Sequence, residues 1–223
     1  MNKYLTVLIL MLCVGCVQES DVGSKREIVL DGKQKIKEIE LKPIGEITKE
    51  HSSIVKLKAA FGPRWSSGTG FFLEYKKQSY LITAKHVVIE ATEISAYHQS
   101  GPKELNLGDH KMAKKDIAAF VINNKVICLK PSNMNLRSKI SSNHISIDPD
   151  STAGIDVQLF GYPDGWGFRR VVGKIWHTMD MINYDGEKYN LLISTAPCAG
   201  GMSGGPVLDV NGNVVGVIVS SIK

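Results

Sequence analysis

The chain has 223 residues, 43% apolar and 22% charged, which excludes a wholly disordered chain and leaves room for one or two hydrophobic cores. Lys and Arg outnumber Asp and Glu by 27 to 22, a formal net charge of +5. That mild excess is spread along the chain and is not gathered with aromatic residues, which argues against a nucleic-acid groove.

Residues 1–16 carry one positive charge at Lys3, an apolar run from Leu5 to Leu12 and then small residues. This is the three-part pattern of an export signal, too short for a stable membrane-spanning helix. Its end, Cys13-Val14-Gly15-Cys16, resembles a bacterial lipobox, which implies lipidation at Cys16 and a lipid anchor as the one membrane contact. Cys13 stands where Leu is usual, so an ordinary cleaved signal and a retained anchor are the alternatives. The expected location is the cell envelope, as a periplasm-facing or cell-surface lipoprotein, and otherwise secretion.

Residues 17–50 mix Lys, Glu, Asp and Gly with isolated apolar stretches such as Ile28-Val29-Leu30. They read as a charged tether, with a short strand added to the main domain. From about Ser52 onward, short apolar runs between turn residues predict strands. The expected strands are Ile54–Phe61, Thr69–Tyr75, Tyr80–Thr83, Ile117–Ile122, Ile155–Tyr162, Val171–Trp176, Leu191–Thr195, Pro206–Val210 and Val214–Val219. Asn211-Gly212 marks a hairpin between the last two, because a tight turn there wants positive φ. No long amphipathic helix is visible, and the expected fold class is all-β, an antiparallel sandwich or barrel.

Two of the four cysteines, Cys128 and Cys198, lie outside the signal. An exported protein can pair them, although two distant cysteines fix no geometry. No Cys or His spacing suits a metal, and neither a metal nor another cofactor is expected.

The sharpest local feature is Ala199-Gly-Gly-Met-Ser-Gly-Gly-Pro-Val207, one serine among four glycines ahead of a strand. Glycine permits positive φ and close backbone approach, so a bend here can expose the Ser203 hydroxyl and turn N–H groups inward. A nucleophile beside such donors is what acyl transfer needs, and Gly201 and Ser203 would supply the oxyanion hole. A serine needs a base. His86, in Tyr80-Leu-Ile-Thr-Ala-Lys-His-Val-Val88, sits at the end of an apolar strand, whereas His51, His98, His110, His144 and His177 lie in polar or turn-like contexts. The base in turn needs an acceptor that fixes its tautomer. Asp116 opens the apolar run Ile117–Ile122, and Asp109, in a polar stretch, is the weaker choice.

Ser67-Gly-Thr-Gly-Phe-Phe72, Thr83-Ala-Lys-His86, Asp116-Ile-Ala118, Phe160-Gly-Tyr-Pro163 and Gly201-Met-Ser-Gly-Gly-Pro-Val207 together resemble trypsin-like serine peptidases. The bacterial HtrA-type and glutamyl-endopeptidase-type proteases are the nearest in look, and the resemblance spans roughly Ser52 to Ser221. It implies a peptidase domain over 51–223 built as two antiparallel six-stranded β-barrels (chymotrypsin-like), the first about 51–130 and the second about 145–223. His86 and Asp116 would lie on the first, Ser203 on the second, and the catalytic cleft between them. The implied activity is that of a serine endopeptidase acting on protein or peptide substrates. The primary pocket would be lined by Thr195, Pro197, Cys198, Val219, Ser220 and Ser221. None of these is acidic or histidine, which points away from Lys, Arg and Glu and toward small or medium apolar side chains. Two departures stand out: Lys85 replaces the usual Ala before the histidine, and Met202 replaces the Asp on which a familiar zymogen switch relies.

Gly201-Met-Ser-Gly-Gly205 also fits the nucleophile elbow of α/β-hydrolases, whose order along the chain is Ser, acid, His. No histidine follows Ser203, so that reading fails. The remaining alternatives are a catalytically inactive protease-fold binding module on the cell envelope and a purely structural envelope lipoprotein.

Overall fold

The computed structural model describes residues 9–14, 29–30, 34–35, 51–98, 101–103, 107–112, 116–133, 154–163, 167–182 and 188–222. Apolar residues at alternate positions and glycine-marked turns make these segments strands. In the first lobe these are β4 (Ile54–Phe61), β5 (Arg64–Tyr75), β6 (Gln78–Thr83), β7 (Glu93–His98), β8 (Gly101–Lys103), β9 (Leu107–Met112) and β10 (Ala118–Ile122). Ahead of them run β1 (Ile9–Val14), β2 (Val29–Leu30) and β3 (Gln34–Lys35). The second lobe has β11 (Ile155–Gly161), β12 (Arg169–Ile182), β13 (Lys188–Ser194), β14 (Pro206–Leu208) and β15 (Val214–Ile222).

The first lobe is one seven-stranded antiparallel sheet in the order β8-β7-β4-β5-β6-β10-β9. In the second, β13-β12-β11-β14-β15 are antiparallel, and β1 closes the barrel by pairing in parallel with both β13 and β15. The expected all-β, two-lobed architecture is present. The expectation of two antiparallel six-stranded barrels is corrected in detail. The described strands of the first lobe form an open sheet, and the sixth strand of the second runs parallel. The apolar Ile9–Val14 segment, expected to be part of a leader, instead pairs as a strand with two sheet edges.

Other corrections are local. Val29-Leu30 pairs with β3 in a separate two-stranded sheet and does not join either lobe. Asp109 lies in β9 and not in a loop. The pairing of Cys128 with Cys198, which the sequence leaves open, does not occur: Cys198 is disulfide-bonded, whereas Cys128 is a free thiol whose sulfur lies 3.4 Å from Ser79 Oγ. Burial pushes the Cys128 thiol's pKa up, the Ser79 contact opposes this, and the charge of Glu74 adds to the rise.

Phe71, Phe72, Ile54, Leu57 and Leu81 fill the first lobe, while Leu159, Ile175 and Leu192 fill the second. Each such burial contributes about 1.5–3 kcal/mol. The lobes share apolar surface: Phe160, Tyr162 and Phe168 of the second join the first lobe's cluster, with the Phe168 ring 5.9 Å from Phe160 and 5.3 Å from Tyr162. A connecting strap binds both. Leu129 donates to the Phe72 carbonyl and accepts from Glu74 N–H at 2.8 and 3.0 Å. Three residues on, Ser132 N–H meets the Val214 carbonyl at 2.8 Å, and its hydroxyl donates to the buried Asp209 carboxylate at 2.8 Å.

Candidate active site

After β6 the chain turns through one helical turn, α1 (Lys85–Val88). Val87 and Val88 are buried and fix that turn, which leaves the His86 ring half-exposed. Asp116 precedes β10, the strand that pairs with β6, so the ladder brings the two residues together across thirty positions of sequence. Asp116 Oδ1 accepts the His86 backbone N–H at 2.8 Å, and Oδ2 lies 2.6 Å from His86 Nδ1. A histidine gripped in this way presents Nε2 as the ring's remaining proton acceptor.

The serine turn spans residues 199–205. Gly201 and Gly204 take φ of +83° and +88°, a region that disfavours any side chain. Within the turn, Met202 N–H bonds to the Ala199 carbonyl, Gly205 N–H to the Met202 carbonyl and Gly204 N–H to the Ile218 carbonyl of β15, at 3.2, 2.9 and 2.6 Å. Among the described residues, the N–H groups of Gly201 and Ser203 donate to no protein acceptor. Gly201 and Ser203 are both half-exposed, so these two N–H groups, on either side of the buried Met202, are open to water or to an anionic oxygen.

The turn packs directly on the strand ends that carry the histidine. A Cβ on Gly204 would lie 2.1 Å from the Thr69 carbonyl, 2.2 Å from Thr83 Oγ1 and 2.8 Å from Ala84 N, two residues before His86. Val87 and the Ser203 carbonyl both abut Gly68, at 2.5 and 3.2 Å from the position of a Cβ there. Gly204 and the Ser203 carbonyl are thereby brought against the strand end and the turn that carry His86. The half-buried Ser203 hydroxyl makes no hydrogen bond to His86 in this state. Such contacts commonly tighten only when substrate is bound.

The residues expected to line a pocket fall on two segments whose strands are separated by β1 in the barrel. Val219, Ser220 and Ser221 lie on β15, while Thr195, Pro197 and Cys198 follow β13. Thr195 is turned toward its own sheet: its N–H donates to the Lys174 carbonyl and its hydroxyl accepts Lys174 N–H, both at 3.0 Å. Ala196 N–H bonds to the buried Ser194 hydroxyl at 3.1 Å.

Residues 68–217 match the model of the trypsin-like peptidase domain. The chain belongs to that family. A protein of Sinorhizobium fredii described as the uncharacterized protein y4bJ is 27% identical over 170 residues, which cover 72% of this chain and 23% of that one. This chain thus spans about a quarter of that relative's length. The inactive form of the Rv3671c protease superposes with a TM-score of 0.56 at 23% identity, over 77% of this chain and 78% of that one. The active form from M. tuberculosis gives 0.53 at 24%, over 75% and 70%. The HtrA-type protease AlgW with a tripeptide gives 0.56 at 20%, over 77% of this chain and 52% of that one. These likenesses carry the fold.

In this trypsin-like peptidase domain Thr69, Thr83 and Gly161, present in the quoted motifs without an assigned role, lie beneath the serine turn. Thr69 and Thr83 are fully buried polar residues, and Gly161 leaves room for Thr69 Oγ1 and Met202, each 3.0 Å from where its Cβ would stand. The one sequence signal was a hydroxyl residue between Gly68 and Gly70 at the entry to an apolar run.

Proposed function

We propose that the protein is a serine endopeptidase in which Ser203 is the nucleophile, His86 the general base and Asp116 the residue that orients it. Ser203 Oγ attacks the scissile carbonyl carbon while His86 Nε2 takes its proton, and the carbonyl oxygen becomes an oxyanion held by the N–H groups of Gly201 and Ser203. Collapse breaks the C–N bond as His86 returns the proton to the leaving amine, which leaves an acyl-enzyme. Water, deprotonated by His86, releases the acid. The observation that carries this reading is the combination of the two unengaged N–H groups of Gly201 and Ser203 with the short Asp116–His86 contact on the adjoining strand ends.

Substrates are proteins or peptides, and no cofactor is needed. With Thr195 turned to its own sheet, the remaining pocket residues Pro197, Cys198, Val219, Ser220 and Ser221 carry no charge, which favours small or medium apolar side chains. Residues 1–16 direct export, with lipidation at Cys16, and 51–223 form the peptidase domain. Processing at that site would remove β1, leave the facing edges of β13 and β15 open to another strand, and undo the Cys198 disulfide, since Cys128 is free and the other two cysteines are Cys13 and Cys16.

The test is a fluorescent fluorophosphonate added to the purified full chain and to Ser203→Ala, read by intact mass. One adduct on the parent and none on the variant is expected. No adduct on a folded parent would move the reading to an inactive binding module.

A further inference from the structure

The interior residue Thr69 uses all of its hydrogen-bonding groups on the site. Its N–H donates to the Ser203 carbonyl at 2.8 Å, and its hydroxyl donates to the Gly201 carbonyl at 2.7 Å. The same hydroxyl accepts Tyr162 N–H at 3.0 Å, and the Thr69 carbonyl accepts the Thr83 hydroxyl at 2.8 Å. Thr69 and Thr83 are both fully buried, so water does not reach the threonine side of these bonds. Two carbonyls of the serine turn are thereby clasped by one first-lobe residue, and that residue is tied through Thr83 to the strand end that leads to His86.

We propose that Thr69 is a positioning residue for the oxyanion site, holding the turn so that the N–H groups of Gly201 and Ser203 point out of the fold. This rests on the reading of those two groups as oxyanion donors. The physical reason is torsional. Gly201, at φ of +83°, lacks the side chain that would restrict its backbone, so rotation of its peptides is cheap unless something outside the residue stops it. Of the turn's other carbonyls, those of Ala199 and Met202 are held only by N–H groups of the turn itself, and such bonds move with it. The Gly201 and Ser203 carbonyls are tied to a different lobe. Releasing the Gly201 carbonyl lets the flanking peptides turn, and a carbonyl oxygen swung toward the developing oxyanion would repel it. The hydroxyl should therefore act on the transition state more than on substrate binding.

The experiment compares Thr69→Val with Thr69→Ser in the full chain. Valine keeps the shape and the backbone N–H but removes the hydroxyl; serine restores it. Two readouts are taken: amide hydrogen exchange over residues 199–205, and kcat and KM on a peptide substrate. Thr69→Val is expected to speed exchange in the turn and lower kcat about tenfold or more with KM little changed, and Thr69→Ser to return both toward the parent. Unchanged exchange in Thr69→Val overturns the proposal, as does an unchanged kcat or a loss that serine fails to restore. If Thr69→Val does not fold, Thr69→Cys, with its weaker donor, serves for the same contrast. A parent that takes no fluorophosphonate label yet shows the exchange contrast would overturn the peptidase reading and leave the clasp standing.

Discussion

Asp116 holds His86 at two points, with Oδ1 on the backbone N–H at 2.8 Å and Oδ2 on the ring Nδ1 at 2.6 Å. One oxygen fixes where the residue sits and the other fixes which ring nitrogen carries the proton. The carboxylate can do both because each oxygen is an acceptor.

An amide cannot, and that makes Asp116→Asn an informative change. If the remaining oxygen keeps the backbone N–H, the NH₂ group faces Nδ1 and forces it to accept, which moves the ring proton to Nε2. In the proposed mechanism His86 is then blocked as a base by its own proton. A fall in kcat of about 10⁴-fold is expected, with KM nearly unchanged and the fold intact. Steady-state hydrolysis checks it, and a loss smaller than tenfold would remove Asp116 from its role.

Two glycines of positive φ separate backbone strain from crowding. Gly62, at φ of +61°, has nothing within 4 Å of a built Cβ, whereas at Gly204 that atom would sit 2.1 Å from the Thr69 carbonyl and 2.8 Å from Ala84 N. Gly62→Ala should cost only the left-handed penalty, about 1 kcal/mol. At Gly204 the crowding atoms include backbone that cannot swing aside, so Gly204→Ala should cost about 4 kcal/mol or more and displace the serine turn. Thermal melts of the two variants check this. Equal losses would mean that the turn is not packed against the first lobe as described.

The contrast between β4 and β7 explains what could be read from the sequence. Within Ile54–Phe61 the stretch Val55–Ala59 alternates apolar and polar residues, and the run ends at Gly62-Pro63, so its limits were legible to the residue. Glu93–His98 is an inner strand of the open sheet by pairing, yet its polar residues and half-buried Ile94 give no clear period. His86 and Asp116 were conspicuous because each sits where an apolar strand meets a polar residue. Thr69 was not, because its role depends on Gly201, 132 positions away, and no local pattern encodes such a contact. The parallel pairing of β1 was hidden for a different reason: a short apolar run reads the same whether lipid, a translocation channel or a sheet edge takes it up.

Tyr162 gives the alkaline limit of stability a specific origin. Its side chain is packed between the lobes against Phe168, with its hydroxyl 3.5 Å from the Ile54 carbonyl, and burial pushes its pKa from 10.0 up to about 12. A phenolate in that apolar contact would lose its water, so the folded state keeps the proton that an unfolded chain releases near 10. The unfolded state therefore binds fewer protons than the folded one in this window, and stability falls as pH rises. The contribution of the neutral ring is complete below pH 10 and is lost as pH climbs through about 12. Its size is roughly 2–3 kcal/mol over the two-unit shift. Denaturant melts from pH 9 to pH 12 should show a steeper decline for the parent than for Tyr162→Phe, which lacks the ionisable hydroxyl and keeps the ring contact. Absorbance titration gives an independent check, since the difference between the two proteins reports one tyrosine of seven. A difference centred near 12 places that phenol in the packed contact between the lobes, while one centred near 10 would mean that water reaches it and that the contact is open in solution.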